Sequence, residues 1–148
     1  MPHPDWPSGL CTPGSKPPLS SCVTATAEPF SSREALRRGP IVLVFYRGRW
    51  CPYCNTDLCA IEAASHDIRS LGASLVAVSQ QTPENSRETR RRNGLSFASL
   101  VDAGGKVAHA FGLCWKVSDE LRAVEGGCGM DRHRVDKLSL LPLAAVTQ

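Results

Sequence analysis

The stretch Ile41-Val42-Leu43-Val44-Phe45-Tyr46-Arg47-Gly48-Arg49-Trp50-Cys51-Pro52-Tyr53-Cys54-Asn55 decides how this chain folds. Its first six residues are aliphatic or aromatic without a polar break, the pattern of a strand covered on both faces, and this strand is expected at the centre of a sheet. Beyond it, from Thr56 to Leu71, the apolar residues Leu58, Ile61, Ala64, Ile68 and Leu71 recur at spacings of three and four. That spacing predicts one face of an amphipathic helix, stopped by Gly72. A Cys-X-X-Cys pair therefore lies where a buried strand hands over to a helix.

Working outward, Ser74–Ser79 (SLVAVS) reads as a second buried strand. Thr82-Pro83-Glu84 opens a helix with a capping hydroxyl, a proline at the first helical position and an acid in the first turn, and the helix runs to about Asn93-Gly94. Its arginines, Arg87 and Arg90 to Arg92, lie where the helix dipole favours cations and read as a solvated face. A third strand is expected over Leu95–Val101, a turn over Asp102–Gly105, and a short helix through Val107, Ala108, Phe111 and Leu113. The β-α-β-α-β order predicts a parallel sheet with right-handed crossovers. Upstream, Val23–Phe30 suits a short edge strand or hairpin, since Pro29 bars it from a central position. Ser31 or Ser32 caps a short helix, SREALRR, that Gly39-Pro40 stops.

Residues 1–22 hold six of the eleven prolines and show no period, so they are expected to form a flexible lead-in to a single domain over residues 23–148. Past Leu113 the pattern weakens. Ser118-Asp119-Glu120 opens a helical piece to about Glu125, Arg132–Lys137 reads as loop, and Leu138–Val146 is the remaining strand candidate. There is no internal repeat.

A chain of 148 residues, 42% hydrophobic and 21% charged, is an ordinary globular domain and not a disordered one. A net charge of +3 is too small to make nucleic acid or an anionic membrane the expected partner. Seven unevenly spaced cysteines do not make a secreted disulfide framework. With neither a signal-like start nor an apolar run of membrane length, the expected location is cytoplasmic. In a reducing compartment a close cysteine pair is a catalytic or metal-binding feature.

A nucleophilic cysteine must be a thiolate near neutral pH, so its surroundings must lower its pKa. A helix N-terminus offers unpaired N–H groups and about half a positive charge for this. Three-residue spacing brings Cys51 and Cys54 within bonding reach, so that one attacks and the other closes a disulfide onto it. Arg47 and Arg49 add positive potential. The rival reading is a structural zinc site completed from Cys59, His66, His109, Cys114, Cys128 or His133, for which no second close ligand pair exists. Cys59 reads as filler on the helix, and Cys11, Cys22, Cys114 and Cys128 as free thiols without a role.

Val44–Asn55, followed by Leu75-Val76-Ala77-Val78-Ser79-Gln80 and Phe111-Gly112-Leu113, resembles the peroxiredoxin-like branch of the alkyl hydroperoxide reductase/thiol-specific antioxidant (AhpC/TSA) family, over roughly Val23 to Glu125. The resemblance implies a thioredoxin-like α/β fold of peroxiredoxin type, a three-layer α/β/α sandwich. It also implies thiol-dependent reduction of hydrogen peroxide and organic hydroperoxides without a metal or organic cofactor, and reduction of the oxidised enzyme by a thioredoxin-like protein or glutathione.

Two patterns overlap on the same positions. Trp50-Cys51-Pro52-Tyr53-Cys54 resembles the thioredoxin WCxxC site, in which Cys51 is the exposed nucleophile and Cys54 resolves. The peroxiredoxin pattern Pro-x-x-x-Thr/Ser-x-x-Cys puts Cys54 in the peroxidatic place, with Cys51 standing for the hydroxyl residue and Arg47 for the proline. The residues themselves favour Cys51 as the more exposed sulfur; the resemblance favours Cys54 as the one that meets peroxide, with Cys51 resolving it and Arg47 and Trp50 in support. The resemblance further implies two more strands, a closing helix and a cis-proline facing the cysteines. After about Glu125 only Leu138–Val146, with Pro142, is available for these, and neither Arg132 nor Arg134 matches the family's peroxide-binding arginine. A domain cut short there would expose a sheet edge and favour homo-oligomers. Alternatives of other kinds are a general thiol-disulfide oxidoreductase, a zinc-binding module and a non-catalytic remnant.

Overall fold

The computed structural model describes residues 21–116, Glu120, Ala123, 140–142 and 145–147. The lead-in up to residue 20, most of the expected helical piece at 118–125 and the loop at 132–137 lie outside the described residues. The elements are β1 (Ser21–Thr24), β2 (Pro29–Ser31), α1 (Ser32–Arg38), β3 (Ile41–Phe45), α2 (Pro52–Ala63), α3 (Ser65–Ser70), β4 (Ser74–Ser79), α4 (Pro83–Asn93), β5 (Ala98–Val101), α5 (Lys106–Ala110), β6 (Cys114–Lys116), β7 (Leu140–Pro142) and β8 (Ala145–Thr147).

Six strands form one sheet in the order β2-β1-β5-β4-β3-β8. β3, β4 and β5 are parallel, as the alternation of strands and helices requires, whereas β1 joins β5 and β8 joins β3 antiparallel. The sheet is thus mixed. Residues 21–31 make the expected hairpin, and β2, which begins at Pro29, is its outer strand, so the missing proline N–H costs no ladder bond on the inner side. β3 is paired on both sides but is fifth of six, not central.

The continuous apolar runs are explained by two cores, one on each face. Ile41, Leu43 and Phe45 of β3 with Val76 and Val78 of β4 pack on Ala35 of α1 and on Val107, Ala108 and Phe111. The alternate residues Val44, Tyr46, Leu75 and Ala77 face Leu58 of α2, together with Leu95, Phe97 and both cysteines of the pair. Helices cover both faces, which is the expected α/β/α layering. Where α1 ends, Gly39 lies so close to the Gly72 carbonyl that any Cβ would collide with it, and its φ of 151° suits glycine.

Several local expectations change. The helix after the pair starts at Pro52, because Cys51 already caps it, and it ends at Ala63; Ser65–Ser70 is a separate helix. Around the junction the Ala64 N–H still bonds the Ala60 carbonyl and the Ile68 N–H the Ala64 carbonyl, and the Ser65 hydroxyl donates to Glu62 Oε1 at 3.3 Å. Leu71, expected on the buried face, is 83% exposed, whereas Ile68 still packs on the second core. Leu95 and Phe97 are buried, but only Ala98–Val101 pairs as a strand. Cys114–Lys116, where the pattern faded, forms a ribbon with β7. The single strand expected over Leu138–Val146 is two strands, with Pro142 in β7 and β8 added to the sheet. No peptide bond among the described residues is cis, so Pro142 is not the cis-proline that the resemblance implies.

Candidate active site around the Cys51–Cys54 pair

β3 ends at Phe45, and the chain turns through Arg47–Trp50 into the first turn of α2. The turn is held from below by polar groups the apolar pattern does not reveal. Gln81 is completely buried; its Oε1 accepts from the Arg49 N–H at 3.0 Å, and its amide donates to Tyr46 Oη at 2.7 Å and to Thr89 Oγ1 at 3.0 Å. Tyr46 in turn shares a 3.1 Å hydrogen bond with Ser99 on β5. Asn55 clamps the loop from the helix side, donating to the carbonyls of Arg49 (2.9 Å) and Cys51 (2.8 Å), while its Oδ1 accepts from Asn93 at the end of α4 at 2.7 Å. Buried amides without partners would each cost about 1–3 kcal/mol, so this network specifies one loop conformation. The sequence motifs give Gln81 and Asn55 no role, because a glutamine before a helix and an asparagine within one look like surface residues. Only their burial and partners reveal it.

Cys51 is the N-cap of α2, with its sulfur accepting from the Cys54 N–H at 3.3 Å. Arg47 reaches over the same sulfur and donates to it from Nη2 at 3.1 Å. Cys54, at the third helical position, faces inward against Leu58 and the β3–β4 surface. The expectation that Cys51 is the more exposed sulfur does not hold: Cys51 is 1% and Cys54 2% exposed, because Arg47 and the loop fold over the cap. Trp50 is half-buried, with the Arg47 guanidinium 5.9 Å from its ring centroid, within cation–π range. Arg47 and Trp50 thus lie beside the pair. The Arg49 side chain is instead exposed, and its contribution to the loop is through its backbone.

The electrostatics divide the two sulfurs. Burial pushes the Cys54 thiol up, and its hydrogen bond with Cys51 adds to this, while the backbone and side chain of Arg47 pull it partly back. Burial works against the charge on Arg47, but its interactions with Cys54 and Cys51 outweigh that, and the guanidinium is held above its usual range. The cation is therefore committed to the pair. Arg47 serves both sulfurs, and the Cys54 N–H adds a donor to Cys51.

The other cysteines are scattered. Cys59 is exposed on α2; Cys22 and Cys114 lie on the opposite face of the sheet against Phe45 and its neighbours; Cys11 and Cys128 lie outside the described residues. Among the described residues, which include Cys59, His66, His109 and Cys114 but not Cys128 or His133, no three metal-ligating side chains come together. No helix among them is long and apolar enough to cross a membrane.

Comparison with known proteins agrees with this architecture. Peroxiredoxin Q, chloroplastic, of Sedum lineare is 28% identical over 102 residues, covering 69% of this chain and 54% of the relative. Peroxiredoxin Bcp of Bacillus subtilis is 29% identical over 97 residues, covering 66% and 61%. This chain thus spans rather more than half the length of these relatives. Peroxidoxin BcpB from Mycobacterium tuberculosis superimposes with a TM-score of 0.66 at 24% identity, over 70% of this chain and 68% of that one, which establishes the thioredoxin-like, peroxiredoxin-type fold. The model of the AhpC/TSA family matches residues 13–128, and the chain belongs to that family.

Proposed function

We propose that this domain is a thiol peroxidase whose Cys51–Cys54 pair reduces hydrogen peroxide and organic hydroperoxides. The observation that carries the reading is Arg47 drawn over two buried sulfurs at a helix N-terminus, with no carboxylate among the hydrogen-bond partners of the pair within the described residues. In the proposed cycle Cys54, in the family's peroxidatic place, attacks the distal peroxide oxygen as a thiolate. The O–O bond breaks, Cys54 becomes a sulfenic acid, and the departing alkoxide or hydroxide takes a proton. The Cys51 sulfur then attacks the sulfenic sulfur, forming a disulfide and releasing water. Two electrons from an external thiol reductant, a thioredoxin-like protein or glutathione, restore the pair. Arg47 holds the negative charge that builds on sulfur and leaving oxygen. The cycle needs no metal or organic cofactor.

A specific observation favours a second reading. Cys51 caps the helix, its sulfur accepting from the Cys54 N–H at 3.3 Å and from Arg47 at 3.1 Å, which suits Cys51 as the attacking thiolate of a thioredoxin-type disulfide oxidoreductase. The two readings separate on the reduced protein given one equivalent of hydrogen peroxide, beside Cys51→Ser and Cys54→Ser with a sulfenic-acid trap and peptide mapping. The peroxidase reading expects a Cys51–Cys54 disulfide within seconds and a trapped Cys54 sulfenic acid in Cys51→Ser. A reaction no faster than that of a free thiol defeats it, and rapid exchange with a disulfide substrate then supports the second.

A further inference from the structure

α4 stops in a way that fixes its last side chain. Gly94 takes a φ of 62°, its N–H bonds the Arg91 carbonyl at 3.4 Å, and the Leu95 N–H bonds the Arg90 carbonyl at 3.0 Å, the closing pattern of a helix with glycine just beyond its end. Leu95 is buried in the second core, so the stop is anchored. Asn93, the last residue of α4, is thereby held against Asn55 of α2. The hydrogen bonds there run in one direction. The Cys59 thiol donates to Asn93 Oδ1 at 3.7 Å, Asn93 Nδ2 donates to Asn55 Oδ1 at 2.7 Å, and Asn55 Nδ2 donates to the carbonyls of Arg49 and Cys51 at 2.9 and 2.8 Å. An amide has donors on one side and an acceptor on the other, so turning Asn55 over would set its oxygen against both carbonyls. The donor that Asn93 brings to Asn55 Oδ1 favours the orientation in which both carbonyls are served.

We propose that Asn93 is a positioning residue for the dithiol, acting through Asn55 on the backbone of Cys51. The Cys51 carbonyl accepts from Asn55 twice, from the side chain at 2.8 Å and from the backbone N–H at 3.1 Å, and this pins the extended ψ of 107° at the helix cap. With that angle set, the Cys51 sulfur meets the Cys54 N–H at 3.3 Å. Asn55 also ties down the Arg49 carbonyl, so the chain is held on both sides of Trp50. α4 thus takes part in presenting one sulfur to the other. Orientation of this kind acts on disulfide closure, where a small misplacement of one sulfur lowers the effective concentration seen by its partner. The inference rests on the dithiol reading above only in that the pair closes a disulfide; it needs no peroxide.

The test gives the reduced full chain less than one equivalent of the aromatic disulfide dithiobis(nitrobenzoate), quenches with acid at intervals and maps the peptides. A thiolate of the pair attacks the S–S bond of the reagent, expelling one thionitrobenzoate and leaving a mixed disulfide. The second thiolate then attacks the protein sulfur of that mixed disulfide, expelling the other thionitrobenzoate and closing Cys51–Cys54. In Asn93→Leu, which keeps the bulk and removes the donor, this closing step should run about three- to fivefold slower than in the wild type, the scale of one partly exposed hydrogen bond. Asn93→Ala, which places no branched apolar side chain there, should slow closure in the same sense. A merely loosened fold would instead speed the labelling of Cys22 and Cys114, which should stay at the wild-type rate. In an Asn55→Leu background, Asn93→Leu should add no further slowing, since the two residues act in series. Closure at the wild-type rate in either Asn93 variant, equal slowing by Asn93→Leu with and without Asn55, or faster labelling of Cys22 and Cys114 without slower closure overturns the proposal. Because no peroxide is used, a failed peroxidase assay leaves this test readable, and wild-type closure in the Asn93 variants leaves the peroxidase reading untouched.

Discussion

Two groups of cysteines occupy opposite faces of the same sheet, and the charge beside them separates them. On one face Cys51 and Cys54 sit under Arg47; on the other, Cys22 and Cys114 pack against the first core within the field of Asp102. Burial raises all three thiols that show a shift. For Cys22 it is the main cause, Asp102 adds to it, and the pKa reaches about 11. Cys114 is raised by burial and then by Asp102 in the same way. For Cys54 burial and Cys51 push up, but Arg47 pulls down. A buried thiol is thus inert by default, and the sign of its charged neighbour decides whether the fold works with that tendency or against it. Asp102 also caps α5 from outside the helix, its two carboxylate oxygens accepting the Val107 and Ala108 N–H groups at 3.0 and 2.9 Å.

The sharpest way to break the comparison is Asp102→Ala. It leaves two buried amide donors unpaired and should cost about 3 kcal/mol of stability, read as a lower urea midpoint, while Cys22 and Cys114 become easier to alkylate. If stability is unchanged, Asp102 is not the cap that holds α5. Next in size is Gln81→Leu, which strips the Arg49 N–H, Tyr46 and Thr89 of a common partner; a loss of about 2 kcal/mol is expected, together with slower closure of the Cys51–Cys54 disulfide. A normal closure rate in a destabilised protein would show that the network supports the core but not the loop.

Arg47→Met keeps the bulk over Trp50 and removes the donor to Cys51. The alkylation rate of the pair at pH 7 should fall about tenfold, the scale of one charge-assisted hydrogen bond, while Cys22 is unaffected. An unchanged rate would mean that the helix N-terminus alone activates the pair. The smallest effect is a pH slope. Because the folded state raises Cys22 from an ordinary 9.0 to about 11, it keeps a proton that the unfolded chain gives up. That stabilisation is complete below pH 9 and fades as the pH rises toward 11. Thermal melts across that window should show a shallower decline for Cys22→Ala; identical slopes would place the alkaline loss on other groups.

How far the chain could be read without coordinates differs between parts. The β3–α2 junction was legible because a strand covered on both faces needs an unbroken apolar run, and the cap and proline that start α2 are local signals. The break at Ala64 was not legible, since Leu58, Ile61, Ile68 and Leu71 keep helical spacing through it. Nor was the ribbon of Cys114–Lys116 with Leu140–Pro142, because its pairing joins segments more than twenty residues apart. At the site, the cysteines, Arg47 and Trp50 were visible as a motif, whereas Gln81 and Asn55 were not.

What the amino-acid order determined by itself is the parallel β-α-β-α-β core and the location of the dithiol, because apolar periodicity, caps and Cys-X-X-Cys spacing act over a few residues. The tertiary structure alone decided that Cys51 and Cys54 are equally buried, that Arg47 and not Arg49 reaches the sulfur, and that Asp102 lies beside the other thiols. Burial and charge proximity are properties of chain segments brought together across a sheet. No local pattern encodes them, so Cys22 and Cys54, both buried thiols, end beside charges of opposite sign.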